Sequence, residues 1–560
     1  MKRPGFTLLL VCALMLTLVV GGVSAQEATK TVVTGLHMVG GDIPTIDPHA
    51  AETSASIEII NQIFIGLTNQ DATTANMEMG IAESMDVSED GKVFTFKLRQ
   101  DIPWVRYNPE TGAVEQVTDE AGNVRYVNAY DSVYGALRGL APETASPYSY
   151  VPLPYIVGAA EFNSGEGSAE DVMFKALDDY TVQITSPDAA SFAASIYGLW
   201  VLRAVPQWAI EAGGDSWTEV EYINTFGPYA LKEWAHDESI TLIKNPFWPG
   251  TDAIPQAKID EVVFRFLDPQ QQFAEYLAGT MDAIQVPLEE IERVKADATL
   301  SQEYIVGNQP CTYYIGFDNT EAPMDNAHLR LALSYAIDRQ SLVDNVTRGG
   351  QIPAQWFSRP GLASAPTLET HPDLGVKFNL ERAQAELAMA LEDLGLASVS
   401  ELPALSLAYN DSSNHGQIMQ AIQQMWTENL GITVTLTAME PSTYFASISE
   451  DAPIIYRAGW CQDYSDANNF LYDVLYSKSS QNDAGWNNAD YDALVEQARL
   501  ESDPEIRRDL YAQAEDILVN QGGGIAPIYW YTINFLVKPN VEYPPSVTGN
   551  EAYFEWDITG

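Results

Sequence analysis

The chain has 560 residues and carries 77 acidic against 29 basic side chains, a formal charge of −48 at neutral pH. So anionic a surface opposes nucleic acid and anionic lipid, and neither is expected as a partner. The length exceeds what one hydrophobic core supports, which predicts two or three domains.

The first segment reads as an export leader. Lys2 and Arg3 form a positive start, Thr7 to Val20 an apolar stretch, and Val23-Ser24-Ala25 a small-residue cleavage site, so residues 1–25 are predicted to be a signal peptide. The stretch is short for a bilayer span. Cys12 lies inside it without a lipobox, so the mature chain is expected in a periplasm or outside the cell, and not as a lipoprotein.

Asp90-Gly91 marks a hairpin turn between Met85 and Leu98, where Phe94, Phe96 and Leu98 alternate with Thr95 and Lys97. Residues 105–130 carry two more turn-like tracts, around Thr111-Gly112 and Ala121-Gly122, and read as a surface β-extension. Asp325 is predicted to cap a helix bearing Leu329, Leu333, Ala336 and Ile337. A strand over Leu405–Tyr409, a helix from His415 to Glu428 and a strand over Ile432–Leu436 form a βαβ pattern, with Gly431 ending the helix. Asp503-Pro504 opens a last helix whose buried face is predicted to hold Ile506, Leu510, Ala514, Ile517 and Leu518. The class is α/β with extra β structure early.

Without the leader, Cys311 and Cys461 are the two cysteines left. In an exported chain a disulfide is the simplest expectation, with two buried thiols as the alternative. In the chain-entropy model so long a loop is worth ~5 kcal/mol. Such a tie would gather Asp463, Arg457, Trp460 and the Tyr313-Tyr314 pair, a set suited to a zwitterion with apolar side chains, such as a peptide. Enzyme chemistry has little to stand on. The six histidines show no His-Glu-x-x-His or other metal-ligand spacing, no Gly-x-Ser-x-Gly elbow occurs, and neither remaining cysteine has a histidine near it. A secreted hydrolase with a carboxylate pair stays as a remote alternative. No metal and no cofactor are expected.

A series of short runs then acquires meaning by order: Ile46-Asp47-Pro48-His49, Ala82-Glu83-Ser84, Leu98-Arg99, Ala145-Ser146-Pro147-Tyr148, Gly227-Pro228-Tyr229, Glu233-Trp234, Lys244-Asn245-Pro246, Leu329-Arg330, Ala336-Ile337-Asp338-Arg339 and Asn534 to Pro539. Together they resemble the oligopeptide-binding proteins of ABC importers, the family 5 solute-binding proteins. The run Arg457-Ala458-Gly459-Trp460-Cys461, with Asp463 after it, resembles the peptide-binding branch.

The resemblance implies a two-lobed Venus-flytrap fold, type II-like, with an additional N-terminal β-rich domain. It divides the chain into a first lobe (26–70, 206–308 and 532–560), the β-rich domain (71–205) and a second lobe (309–531). It also implies a Cys311–Cys461 disulfide bracing the loop that carries Asp463, with Asp463 pairing the ligand's α-ammonium. Glu52 and Ser54 would meet the ligand backbone, Tyr148 would line the pocket from the β-rich domain, and Tyr314, Arg457, Gly459, Trp460 and Cys461 would line it from the second lobe. Tyr531 would lie at the domain crossing, with hinges near Asn308–Cys311 and Tyr531–Asn534. Read from the residues alone, the tyrosines are equally core aromatics, and Arg457 is equally the partner of a nearby acid. Pro441 and Ile448 stand where the family's peptide binders have a tryptophan and an arginine. The expected function is a monomeric peptide-capturing component serving membrane permease subunits. The alternative is the same fold binding nickel, haem or an oligosaccharide.

Overall fold

The computed structural model describes residues 29–38, 41–411 and 414–559. The expected leader over 1–25 lies outside them.

Two long strands, Tyr304–Phe317 and Ile525–Val537, pair antiparallel and form the spine of an 11-stranded sheet. Both are rich in aromatic and β-branched residues, which suit a pleated surface covered on both faces. On one side of the spine lie Ala283–Gln285, Thr31–Thr34, Glu261–Arg265, Ser239–Lys244 and Tyr229–Ala235 in that order. On the other lie Ile455–Cys461, Leu405–Asn410 and Val434–Met439. The last two run parallel, joined by the helix His415–Leu430, which is the βαβ unit the sequence pattern gave. Gly431 ends that helix at φ 69°, a conformation only glycine adopts cheaply.

The apolar interior divides along the spine. One core runs from Val32 to Phe266 and takes in Ile533, Phe535 and Trp556. A second gathers Tyr313, Ile315, Leu333, Trp426 and Tyr529, and a third Phe357, Phe470, Tyr511 and Leu518. The spine strands thus begin and end in different cores, and the molecule is a two-lobed α/β binding fold. A separate four-stranded antiparallel sheet (Ala82–Val87, Val93–Leu98, Thr181–Thr185, Phe174–Asp178) packs into the first core, as the early β-rich pattern predicted. Gly91 takes φ 71° in its hairpin turn. Residues 105–116 form a further hairpin.

Between the two cores the spine is irregular. Asn308 pairs with Thr532, but the next pair is Thr312 with Trp530, so the register shifts there. Such a bulge bends a strand and raises its twist. Arg359, buried nearby, donates to the backbone oxygens of Gln309 and Tyr531 and to the Asn308 side chain, spanning both strands at the irregularity.

Three local expectations shift. The helix expected from Asp325 is Ala327–Tyr335, capped by Asn326, whose side chain accepts from Leu329 N–H at 3.0 Å. The second βαβ strand starts at Val434, two residues late. Ile506 is 50% exposed, and the last helix buries Arg507, Tyr511 and Glu515 beside Leu510, Ala514 and Leu518. Those polar side chains are inside because partners meet them. Arg507 pairs with Asp466, and Glu515 accepts from the N–H groups of Phe357 and Ser358.

Candidate functional site

The strand Ile455–Cys461 pairs antiparallel with Tyr304–Phe317, and the register puts Cys461 opposite Cys311. The two form a disulfide. The chain then leaves the sheet through Gln462 to Asp466 and enters the short helix Ala467–Leu471, capped by the Asp466 side chain on Asn468 N–H. This exit places Asp463 just beyond the disulfide.

Asp463 accepts from Asn469 Nδ2 at 2.8 Å and from the Tyr150 hydroxyl at 3.1 Å. Both donors are uncharged, and among the described residues no basic group makes an ion pair with it. Burial pushes its carboxyl up to about 6, against the opposing pull of the Asn469 and Tyr150 hydrogen bonds. The side chain is therefore an anion held by neutral donors and lacking a cation.

Asn469 fixes this geometry. Its Oδ1 accepts from Trp460 Nε1 at 3.0 Å and from Asp463 N–H at 2.9 Å, so the indole and the carboxylate are positioned by one amide.

Asp463 faces an open cleft whose walls come from both lobes. Glu52, Ser54 and Tyr148 line it from one side, Cys311 and Cys461 from the other. A neighbouring open groove shares Asp463 and Trp200 with it. The Tyr148 ring stands edge-on to Trp200 at 4.7 Å and tilts against Tyr150 at 5.8 Å, which gives the cleft an aromatic wall.

Arg457 forms a second group. Its Nη2 donates to the Tyr531 hydroxyl at 2.8 Å, and its guanidinium lies 4.7 Å from the Tyr313 ring centre. It has no ion-pair acid among the described residues, so the alternative of a structural salt bridge does not apply. Gly459 belongs here by shape, since a Cβ on it would sit 3.1 Å from Tyr531 Oη and 3.3 Å from Arg457 Nη2.

Tyr314 points elsewhere. It is buried edge-on against Phe357 at 5.2 Å, in the third core, and, like the expected lining residues Arg457, Gly459, Trp460 and Tyr531, borders neither of these two spaces. Ile448, where the family resemblance would place an arginine, is buried beside Tyr444 and Tyr456. Among the described residues no group of three or more His, Cys, Asp or Glu is arranged to hold a metal, and no helix is long and apolar enough to cross a membrane.

Sequence reasoning passed over Tyr150 and Asn469, which hold Asp463 directly. The signals were faint: a second tyrosine two residues after Tyr148, and two asparagines inside the apolar run Ala467-Asn468-Asn469-Phe470-Leu471.

A cleft between two sheet-joined lobes, with an unmatched carboxylate in it, defines a lobed ligand-capturing protein. The chain belongs to the bacterial extracellular solute-binding proteins, family 5, whose middle-region model matches residues 76–482. It is 31% identical to the oligopeptide-binding protein OppA of Bacillus subtilis strain 168, over 91% of this chain and 90% of that one. Among solved structures it is similar to Haemophilus influenzae OppA in complex with RPPGFSPFR, with a TM-score of 0.78, 28% identity, and coverage of 95% of this chain and 100% of that one. It is also similar to the Escherichia coli murein tripeptide binding protein MppA, with a TM-score of 0.79, 26% identity, and coverage of 95% and 99%.

Proposed function

We propose that this chain captures short peptides between its two lobes and delivers them, unchanged, to the membrane permease of an ABC importer. The observation that carries this is Asp463, an anion in the cleft held by neutral donors and lacking a cation. An unpaired carboxylate in such a place is costly, and a ligand ammonium relieves the cost while ligands without one do not. The aromatic wall of Tyr148 and Trp200 suits side chains of mixed character. Exposed strand edges would pair with an extended peptide backbone without reading its sequence.

In this reading Glu52 and Ser54 meet the ligand backbone, while Tyr148, Trp460 and Cys461 border it. Arg457, with Gly459 and Tyr531, offers a cation for the ligand's anionic end. Tyr314 contributes by packing the strand beneath. The bulged spine at Asn308–Cys311 and Tyr531–Asn534 is the hinge, dividing a first lobe (26–70, 206–308, 532–560) from a second (309–531), with 71–205 as the added domain. Closure follows from the ligand's greater affinity for the closed form. The protein works as an exported monomer after loss of residues 1–25.

Native mass spectrometry of the protein purified without refolding, followed by denaturing analysis of what it releases, tests this. The expected result is a mixed set of short peptides, lost in Asp463→Ala. A bound metal, haem or sugar, or turnover of a peptide panel, would overturn it.

A further inference from the structure

Behind Asp463 stands a second buried carboxylate that the proposed peptide chemistry does not yet use. Asp473 is 7% exposed and accepts from the Tyr464 hydroxyl at 2.6 Å, from Asn469 Nδ2 at 3.2 Å and from Asn468 Nδ2 at 3.3 Å. The Tyr464 and Asn469 bonds favour its ionised form, while Asn468, whose amide lies nearer the Tyr155 and Tyr464 hydroxyls at 2.9 and 2.8 Å, adds only a long contact. The same Asn469 nitrogen also donates to Asp463 at 2.8 Å. Those two bonds, laid end to end, keep the two acid oxygens no more than about 6 Å apart, within the range where like charges act on each other.

The charges nearby do not compensate the pair. Asp466 is taken up by Arg507, at 2.5 and 2.7 Å. Arg499 pairs with Asp188 and lies over the rings of Tyr155 and Tyr472. Tyr150, Tyr155, Tyr464 and Tyr511 add only neutral hydroxyls. Among the described residues neither Asp463 nor Asp473 makes an ion pair, so two buried acids share one amide with no cation between them.

We propose that Asp473 is a positioning residue for the ligand's ammonium, a second negative charge that deepens the well at Asp463 and holds Asn469 in place. It rests on the reading of Asp463 as the ammonium partner. Asp473 touches no ligand itself. It acts through Asn469 and through the field at Asp463, so it should sharpen discrimination for a free amino terminus more than it strengthens peptide binding in general. Burial pushes Asp473 up to about 7, with Asp463 and Asp466 adding to the rise and the Tyr464 and Asn469 hydrogen bonds opposing it. A ligand cation would therefore draw both acids toward their ionised form.

The test measures calorimetric affinities of tri-, tetra- and penta-alanine and of their N-acetylated forms, for the full protein and for Asp463→Asn and Asp473→Asn. The readout is the ratio of free-amine to acetylated affinity. Asp463→Asn is expected to abolish the preference, and Asp473→Asn to reduce it about tenfold while changing acetylated binding little, as expected for loss of one nearby charge. A merely structural role would weaken both ligand forms together and leave the ratio unmoved. That result, with Asp463→Asn still abolishing the preference, overturns the proposal and leaves the ammonium site standing. No preference in the native protein removes both. Should Asp473→Asn fail to fold, Tyr464→Phe removes the hydroxyl that favours the Asp473 anion. It should lower the same ratio, and an unchanged ratio there overturns the proposal equally.

Discussion

Arg457 Nη2 donates to the hydroxyl of Tyr531 at 2.8 Å, while its Nε has no hydrogen-bond partner. A buried guanidinium whose acceptors are a phenol and, at 3.4 Å, the Asn410 amide oxygen is an unbalanced cation, and an incoming carboxylate would complete it. Arg457→Gln is expected to weaken peptides with a free carboxyl end at least tenfold, and amidated peptides much less. That corresponds to a charged hydrogen bond of about 1.5–3 kcal/mol. Arg457→Lys should restore little, because a point charge does not reproduce the planar fork. Gly459→Ala should act in the same direction by pressing a methyl on both partners. Equal losses for free and amidated peptides would sink the assignment.

Acidification should release the ligand. With the Asp463 carboxyl pushed up to about 6 by burial, its anion is present above that pH and lost below it. Peptide affinity is therefore expected to fall by up to about tenfold per pH unit below 6, as one proton competes with one ammonium. The empty protein has the opposite sign. Between an ordinary carboxylate range and about 6 the folded state binds the extra proton, so Asp463 makes the empty fold less stable as pH rises through that window. Melting curves with and without peptide at pH 5 and 7 check both, and Asp463→Asn should flatten both. A peptide affinity independent of pH from 5 to 7 would rule out this role.

The elements that were legible in the sequence are those whose signal is local. The Asp90-Gly91 hairpin, the Asp503-Pro504 cap and the helix ended by Gly431 each rest on a few neighbouring residues with one favoured geometry. The helical period puts the apolar Ile506 inside, yet the buried neighbour on the helix is Arg507. The ion pair with the distant Asp466, helped by hydrogen bonds to Ala498 O, Ser364 Oγ and the Tyr511 hydroxyl, makes burying a guanidinium tolerable, and the helical period does not reveal it. The site divided the same way. Asp463 and the Cys311–Cys461 bond stood out through the family run around them. Tyr150 did not, since its role exists only once segments 313 residues apart are brought together. Asn469 lies only six residues from Asp463, and it is the turn between them that aims its amide back at the carboxylate. The register alternation also separates Tyr314 from its neighbour Tyr313. One packs on Phe357 and the other lies under Arg457, a difference in face that sequence adjacency hides.

Cys311 and Cys461 face one another across adjacent strands and close a loop of 150 positions. Constraining so long a loop in the unfolded chain is worth roughly 2–5 kcal/mol. Cys311→Ser with Cys461→Ser is expected to lower the melting temperature by several degrees. It should also weaken peptide binding, because Trp460 precedes the bond and Asp463 follows it within two residues. Native protein treated with a reductant should shift the same way. An unchanged melting curve after verified reduction would mean the bond is incidental to the fold.

Arg359 reaches both spine strands at their register shift, through Gln309 O, Tyr531 O and Asn308 Oδ1. Among the described residues it is buried without an ion-pair acid, and its charge meets backbone oxygens at the register shift. If the spine is the hinge, this guanidinium limits how far the strands can splay there. Arg359→Ala should leave those carbonyls unsatisfied and destabilise the fold by about 1–3 kcal/mol. Its more telling effect should be on motion. The peptide-free protein should show a larger radius of gyration by small-angle scattering, and peptide should dissociate faster. Arg359→Lys cannot span three acceptors and should behave nearly as Arg359→Ala. A variant that loses stability but keeps native scattering and release rates would mark Arg359 as a strut of the sheet, and the hinge would then lie elsewhere.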